Sequence, residues 1–389
     1  MYPRMFIPPT GASKSFFIFG PRGTGKTTWI RNILKPDIYI DLLEDEIYTR
    51  LLGNPSRLTE YITKTRPNCI VIDEIQKIPP LTGEVHRLIE ERKLKFVLTG
   101  SSARKLKRTQ ADLLAGRALT FSMFPLTARE LGADFHLQDS LQWGHLPPVF
   151  YEKEKHKFLK SYVKTYLREE LLQEGLIRNI EPFARFLESA SFSQASVLNV
   201  TKVAKDIGRD PKVVEGYFGI LEDLLIGNRL PAFSRRSNRK QIKRSKFYYF
   251  DVGIFRAIRP MGPLDDDRML LGQALETLVF QELRALNEYL EWEYELSFWH
   301  TTAGQEVDFV LYGKRGLIGI EVIASSRYSS EDLKSLLLFK QTFPPAKLIL
   351  LYTGDRRMNY EGIQIIPVAE FLQNAEQMLS GETSTAKGL

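Results

Sequence analysis

Over the first 130 residues, short uninterrupted apolar runs alternate with longer stretches of helical period. Phe16–Phe19, Cys69–Ile72 and Phe96–Leu98 end in a glycine, a carboxylate and a hydroxyl residue respectively, and Ile38–Leu42, interrupted by Asp41, reads as a further strand. A strand that is apolar on both faces predicts a buried parallel sheet, because only helices packed on both sides leave it no polar face. Residues 43–65 and Leu81–Arg92 predict helices between the strands, the first broken at Gly53 and Pro55. A further short strand is predicted from Ala118 to Phe121.

Beyond residue 130 the pattern changes. Residues 133–150 contain Gly144, Pro147 and Pro148 without a clear period, and predict a linker or lid junction. From Tyr151 to Glu174, Phe158, Tyr162, Val163, Tyr166, Leu167 and Leu171 fall on one helical face. Residues 199–217 read as a helix, a tight turn at Gly208 and a second helix capped by Asp210 and opened by Pro211. Arg209 and Lys212 would face a nucleic acid if that second helix docked on one. A strand is expected over Phe247–Gly253. From about Leu270 a helix, strands near Leu296–Trp299, Val307–Tyr312 and Leu317–Ile323, a helix over Glu331–Gln341 and a strand over Lys347–Tyr352 predict a second α/β unit.

Length and composition narrow the class. With 389 residues, 43% hydrophobic and 26% charged, the chain exceeds one ordinary domain and excludes disordered or fibrous types. One cysteine, Cys69, rules out an intrachain disulfide and fits a reducing compartment. The apolar runs are strand-sized, well short of the roughly 20 residues needed to span a bilayer. Cytoplasmic residence without a membrane partner is the expectation.

The net charge of +7 becomes informative through its distribution. Arg235, Arg236, Arg239, Lys240, Lys243, Arg244 and Lys246 follow one another with no acid between Ser234 and Lys246. Such a run suits phosphate neutralisation, which supplies salt-dependent affinity and little sequence information.

The chemistry is most specific after the first strand. Gly20-Pro21-Arg22-Gly23-Thr24-Gly25-Lys26-Thr27-Thr28 fits the phosphate-binding loop at every fixed position, between a predicted strand and a helix start. The glycines let successive N–H groups turn toward phosphate oxygens, Lys26 reaches the β- and γ-phosphates of ATP, and the Thr27 hydroxyl holds Mg²⁺. Asp73 and Glu74 end a buried strand, where Asp73 suits the metal and Glu74 suits activation of the attacking water. Ser101, at the end of the next strand, is a candidate γ-phosphate sensor and equally a candidate helix cap, two roles that can hold together.

These motifs, with the Thr99-Gly100-Ser101-Ser102 turn, Ala115-Gly116-Arg117, and Pro125-Leu126 followed by Arg129-Glu130-Leu131, resemble one family. It is the prokaryotic AAA-type P-loop ATPases that carry a C-terminal winged helix and a restriction-endonuclease-like domain. The resemblance implies an α/β fold: an AAA+ core over 1–132, a helical lid over 133–180, a winged helix over 181–262 and an endonuclease-like α/β domain over 263–389. It also implies a homo-oligomeric ring in which Arg117 reaches the neighbouring subunit's nucleotide. Glu276, Asp308 and Glu321 match that domain's metal-holding acids. The pattern normally continues Glu-x-Lys, and here Ile323 stands at the lysine position, leaving Lys334 or Lys340 as substitutes. An apolar side chain supplies no charge, so the domain is expected to bind rather than cleave. Two functions follow: a DNA-directed ATPase, or a nucleotide switch that binds a protein partner.

Overall fold

The computed structural model describes residues 1–7, 14–63, 67–102, 106, 118–166, 180–234, 245–263 and 265–379. Strands β1 (Ser15–Phe19), β2 (Ile38–Asp41), β3 (Ile70–Asp73), β4 (Phe96–Gly100) and β5 (Ala118–Ser122) form one parallel sheet in the order β2-β3-β4-β1-β5. β1, β3 and β4 are buried along their whole length, as two-sided apolar runs require. One face packs Phe17, Ile72 and Leu98 against Leu51 and the helix Leu81–Arg92. The other packs Phe16, Ile18, Val71 and Val97 against Trp29 and Ile30. Since β4 lies between β1 and β3, its C-terminal end stands between the glycine-rich loop and the two carboxylates.

The basic lead-in is part of this body. Phe6 is 4% exposed and packs on Trp29 and Phe121, and Arg4 is buried in an ion pair with Glu130.

Residues 133–150, aperiodic in sequence, are densely packed. They form a helix, Leu137–Trp143, and a 3-10 turn, Pro147–Phe150, around a fully buried His145. Polar anchoring of His145 to Leu126 O and Ser140 Oγ fixes the segment, which is why no apolar period announces it. Leu146, Val149, Leu159 and Tyr162 share a core with the helices Ile180–Ser191 and Pro211–Asp223.

The helix-turn-helix layout is present. Val200–Asp206 and Pro211–Asp223 flank a turn with Gly208 at φ 64°, and Asp210 caps the second helix by accepting Lys212 N at 2.7 Å. β6 (Ser196–Val197), β7 (Gly227–Pro231) and β8 (Ser245–Tyr249) form an antiparallel sheet in the order β6-β8-β7. The strand expected to run to Gly253 stops at Tyr249. Asp251 instead accepts Ile254 N at 3.1 Å and starts the helix Val252–Ile258, a side-chain cap that outcompetes the extended apolar pattern.

The last section is a six-stranded mixed sheet in the order β13-β14-β12-β11-β10-β9. β9 (Glu295–His300), β10 (Glu306–Gly313) and β11 (Gly316–Ile323) are an antiparallel meander. The helix Ser330–Thr342 crosses to β12 (Lys347–Tyr352), parallel to β11 and to β14 (Ile363–Pro367), with β13 (Met358–Tyr360) at the edge. The long helix Asp267–Tyr289 lies against this sheet and shares a core with Leu126, Ala128 and Leu131. The whole is α/β, a parallel-sheet unit followed by further α/β structure. No helix among the described residues is long and apolar enough to cross a membrane.

Candidate nucleotide site

The loop leaves β1 at Gly20, whose N–H donates to Gly100 O at 3.2 Å, tying it to the end of β4. Gly23 and Gly25 take φ of 82° and 94°, a left-handed region in which a side chain is strained, and the helix then begins at Lys26. Lys26 is 6% exposed; its ammonium lies over the loop, 2.5 Å from Gly20 O and 3.3 Å from Pro21 O. The loop is braced from three sides. Thr24 Oγ1 donates to Pro21 O at 2.8 Å, Tyr162 Oη donates to Arg22 O at 2.8 Å, and Arg4 Nη1 donates to Thr24 O at 3.2 Å.

Thr27 Oγ1 donates to Asp73 Oδ2 at 3.0 Å. Tyr39 Oη and Thr99 Oγ1 also donate to Asp73, one to each carboxylate oxygen. Burial and the hydrogen bond to Asp73 raise the Tyr39 phenol, which therefore stays a donor. Glu74 follows at φ 59°, its N–H 3.3 Å from Thr99 Oγ1. Gln76 Nε2 donates to Glu74 Oε2 and, at 3.0 Å, to Ser101 Oγ. Glu74, Lys26, Thr27, Thr28, Gly23, Gly25 and Arg22 all line one cavity of about 530 Å³, a size that suits a nucleotide. Its apolar wall includes Ile33, Leu43, Pro147, Pro148 and Tyr151. The residues present fit a triphosphate with a divalent cation: a turned loop, one ammonium, and a hydroxyl and carboxylate in contact.

Tyr39, Gln76 and Arg4 join this site without a motif to mark them, and Thr99, marked in sequence only as part of the Thr99–Ser102 turn, joins through Asp73. Tyr39 alternates with apolar positions on β2, and Arg4 lies in an irregular segment, so only the sheet order brings them in.

Arg117 lies outside the described residues, as do Arg235, Arg236, Arg239, Lys240, Lys243 and Arg244. Arg209 and Lys212 are exposed, on the turn and at the start of the second helix. Lys246 is the correction to the basic run: it is not on the surface. As the second residue of β8 it is 1% exposed, with its ammonium 2.7 Å from Glu276 Oε1, 2.8 Å from Asp308 Oδ1 and 2.5 Å from Glu306 Oε1.

The three acids expected together do meet, around that ammonium. Asp308 N lies 3.3 Å from Glu321 Oε2, and Tyr248 Oη donates to Glu276 Oε1 at 2.5 Å. Burial, then repulsion from Asp308, pushes Glu276 up to about 7, and the same causes raise Glu321 well above the carboxylate range. Desolvation pulls Lys246 down, but Asp308 and Glu276 outweigh it and hold the ammonium charged. Lys334 pairs with Glu331 and Lys340 donates to Ala346 O, so neither reaches the cluster. Among the described residues no group of three or more His, Cys, Asp or Glu has the arrangement to hold a metal ion. Here the cation between the acids is Lys246, and the cluster does not fit a divalent metal.

Residues 12–132 match the family model described as an AAA domain. Residues 134–265 and 271–371 match two families described as domains of unknown function. The chain is 24% identical over 329 residues to an uncharacterized protein of Methanocaldococcus jannaschii, covering 76% of this chain and 72% of that one. It is 20% identical over 321 residues to an uncharacterized protein of Haemophilus influenzae, covering 78% and 76%. Among solved structures it is similar to the Aeropyrum pernix ORC2 protein in its ADP form, with 12% identity, a TM-score of 0.31, and 70% and 89% of the two chains covered. A score that low carries no argument about function. The AAA-domain match and the parallel sheet with its loop support a nucleotide-binding, ATPase-type fold for the N-terminal part of the chain.

Proposed function

We propose that the protein is a Mg²⁺-dependent ATPase that acts on DNA. The observation that carries the ATPase reading is the contact of Thr27 with Asp73 beside the Lys26 ammonium, with Glu74 on the wall of the same cavity. Bound Mg²⁺ would neutralise charge on the β- and γ-phosphates. Thr27 and Asp73 would hold it. The loop N–H groups and Lys26 bind the phosphates, the latter exchanging the Gly20 and Pro21 carbonyls for phosphate oxygens. Glu74 takes the proton of the attacking water. The apolar wall of Ile33, Pro147, Pro148 and Tyr151 suits a planar base.

In this reading residues 1–132 are the AAA+ core, 133–180 the lid, 181–262 a winged helix and 263–389 an endonuclease-like domain to which no cleavage step is assigned. Arg209 and Lys212 with the basic segment 235–244 contact phosphates. The rival reading, a nucleotide switch for a protein partner, is favoured by the burial of Lys246, which takes one cation away from the basic run.

ATP hydrolysis measured with and without single-stranded, duplex and branched DNA tests the proposal. Glu74→Gln is expected to lower turnover about 100-fold and retain nucleotide binding, whereas Lys26→Ala loses both. Turnover by the glutamine variant at the parent rate removes the role of Glu74. Hydrolysis indifferent to every DNA, with no DNA bound at low salt, moves the weight to the switch. For ring assembly, mixing Arg117→Ala with Lys26→Ala protein is expected to restore part of the activity. Assembled mixtures without recovery remove Arg117 as a residue acting in trans.

A further inference from the structure

Glu74 is held from behind by a side chain that lies outside the nucleotide cavity. The Gln76 amide nitrogen spends both its hydrogens, one on Glu74 Oε2 and one on Ser101 Oγ. Its orientation is set by chemistry: the opposite flip would point a carbonyl oxygen at a carboxylate. Gln76 is 4% exposed and absent from the cavity lining, whereas Glu74 is part of that lining. The amide therefore fixes one carboxylate oxygen of a residue that lines the cavity and leaves the other without a hydrogen bond among the described residues.

Two unfavourable features and one close approach converge on this arrangement. Glu74 has φ 59° and ψ 45°, a left-handed backbone that a glutamate adopts at a cost. Gln76 Oε1 is buried with no hydrogen-bond partner. At Gly100 a Cβ would meet that same oxygen, so a larger residue at the end of β4 would push the Gln76 amide out of its present place. Together they place the Glu74 carboxylate and link it to Ser101, at the end of the strand between the loop and the acids.

We propose that Gln76 is a positioning residue for ATP hydrolysis, holding Glu74 in register with the attacking water through its amide and coupling it to Ser101. The inference rests on the ATPase reading above. In the step concerned, the free oxygen of Glu74 takes a proton from water and the water oxygen bonds to the γ-phosphorus. The bond from that phosphorus to the β,γ-bridging oxygen breaks, and its electron pair leaves with ADP. The proton on Glu74 then passes to the released phosphate.

The test is steady-state ATP hydrolysis by the full chain, with binding of a fluorescent ADP analogue measured in parallel. Gln76→Leu is expected to lower kcat at least 10-fold while KM and analogue affinity stay within about twofold, since no cavity contact is removed. Gln76→Glu keeps the side chain's size and replaces the donating amide by a carboxylate that cannot donate to Glu74. Its kcat is expected to fall at least 10-fold as well, with KM and analogue affinity again within about twofold. Should Gln76→Leu not fold, the isosteric variant carries the test alone. A parent enzyme that hydrolyses ATP, with Gln76→Leu or Gln76→Glu at the parent kcat, overturns this inference and leaves the ATPase reading standing. A parent without Mg²⁺-dependent hydrolysis under any condition overturns both.

Discussion

The Lys246 ammonium stands within 2.8 Å of Glu276, Glu306 and Asp308 in a place that water barely reaches. Four carboxyls, with Glu321, crowd one cation, so the pocket sheds negative charge by holding protons on Glu276 and Glu321. Glu276, raised to about 7, contributes stability below its unfolded pKa that is lost as pH rises through about 7. Lys246 acts in the same sense in a higher window: its raised pKa contributes stability that is fully present below the ordinary lysine value, hence across the whole neutral range, and is lost only as pH rises beyond it. Lys246→Met is therefore expected to destabilise the fold by about 3–5 kcal/mol at pH 8, the cost of leaving buried acids without their cation. The loss should shrink at pH 5.5, where Glu276 and Glu321 hold their protons; denaturant unfolding at the two pH values reads it. An equal loss at both would make the role of Lys246 packing alone.

Between residues 136 and 150 a polar contact decides the element. His145 is fully buried, its Nδ1 2.7 Å from Leu126 O and its Nε2 2.8 Å from Ser140 Oγ, and burial lowers its pKa to about 4. Its backbone N–H donates to Asp251 at 2.7 Å, the residue that caps Val252–Ile258. Burial raises Asp251 to about 6. The two slopes oppose each other. A neutral folded histidine costs stability as pH falls from 6.5 toward 4, whereas Asp251 regains stability as pH falls from about 6 toward 3.8. The stability difference between parent and His145→Gln is accordingly expected to shift against the parent by up to about 3 kcal/mol between pH 7 and pH 4. Chemical denaturation across that range checks it, and a constant difference would mean that His145 titrates normally. Hydrophobic periodicity could not reveal this element, since hydrogen bonds to a distant carbonyl and carboxylate hold it. The same holds for Asp251, whose neighbours read as a strand until its side chain found the N–H groups of the next turn.

Across the molecule, the helix Asp267–Tyr289 joins the two sites. Glu276 sits in the ionic cluster, Glu282 accepts Ala128 N at 2.9 Å, Glu288 accepts Ser122 N at 3.1 Å, and the Tyr289 hydroxyl meets Arg4, which braces the phosphate-binding loop. If residues 235–244 track a nucleic-acid backbone, neutralising Arg239, Lys240, Lys243 and Arg244 together is expected to flatten the log-affinity against log-salt slope by up to about 3 units. Basal ATP hydrolysis stays unchanged in that experiment; an unaltered slope removes the segment from the interface. The sequence by itself determined the phosphate-binding loop, the strand ending in Asp73 and Glu74, the helix-turn-helix layout and most strands of the C-terminal sheet. Each depends on local spacing, a two-sided apolar run or a cap within four residues. Tertiary structure alone decided that β4 enters between β1 and β3, that Tyr39, Thr99 and Gln76 reach the two carboxylates, and that Lys246 leaves the basic run for the acids. Those outcomes are set by the order in which strands pair and by the cost of burying unpaired charge, and neither is written in the spacing of neighbouring residues.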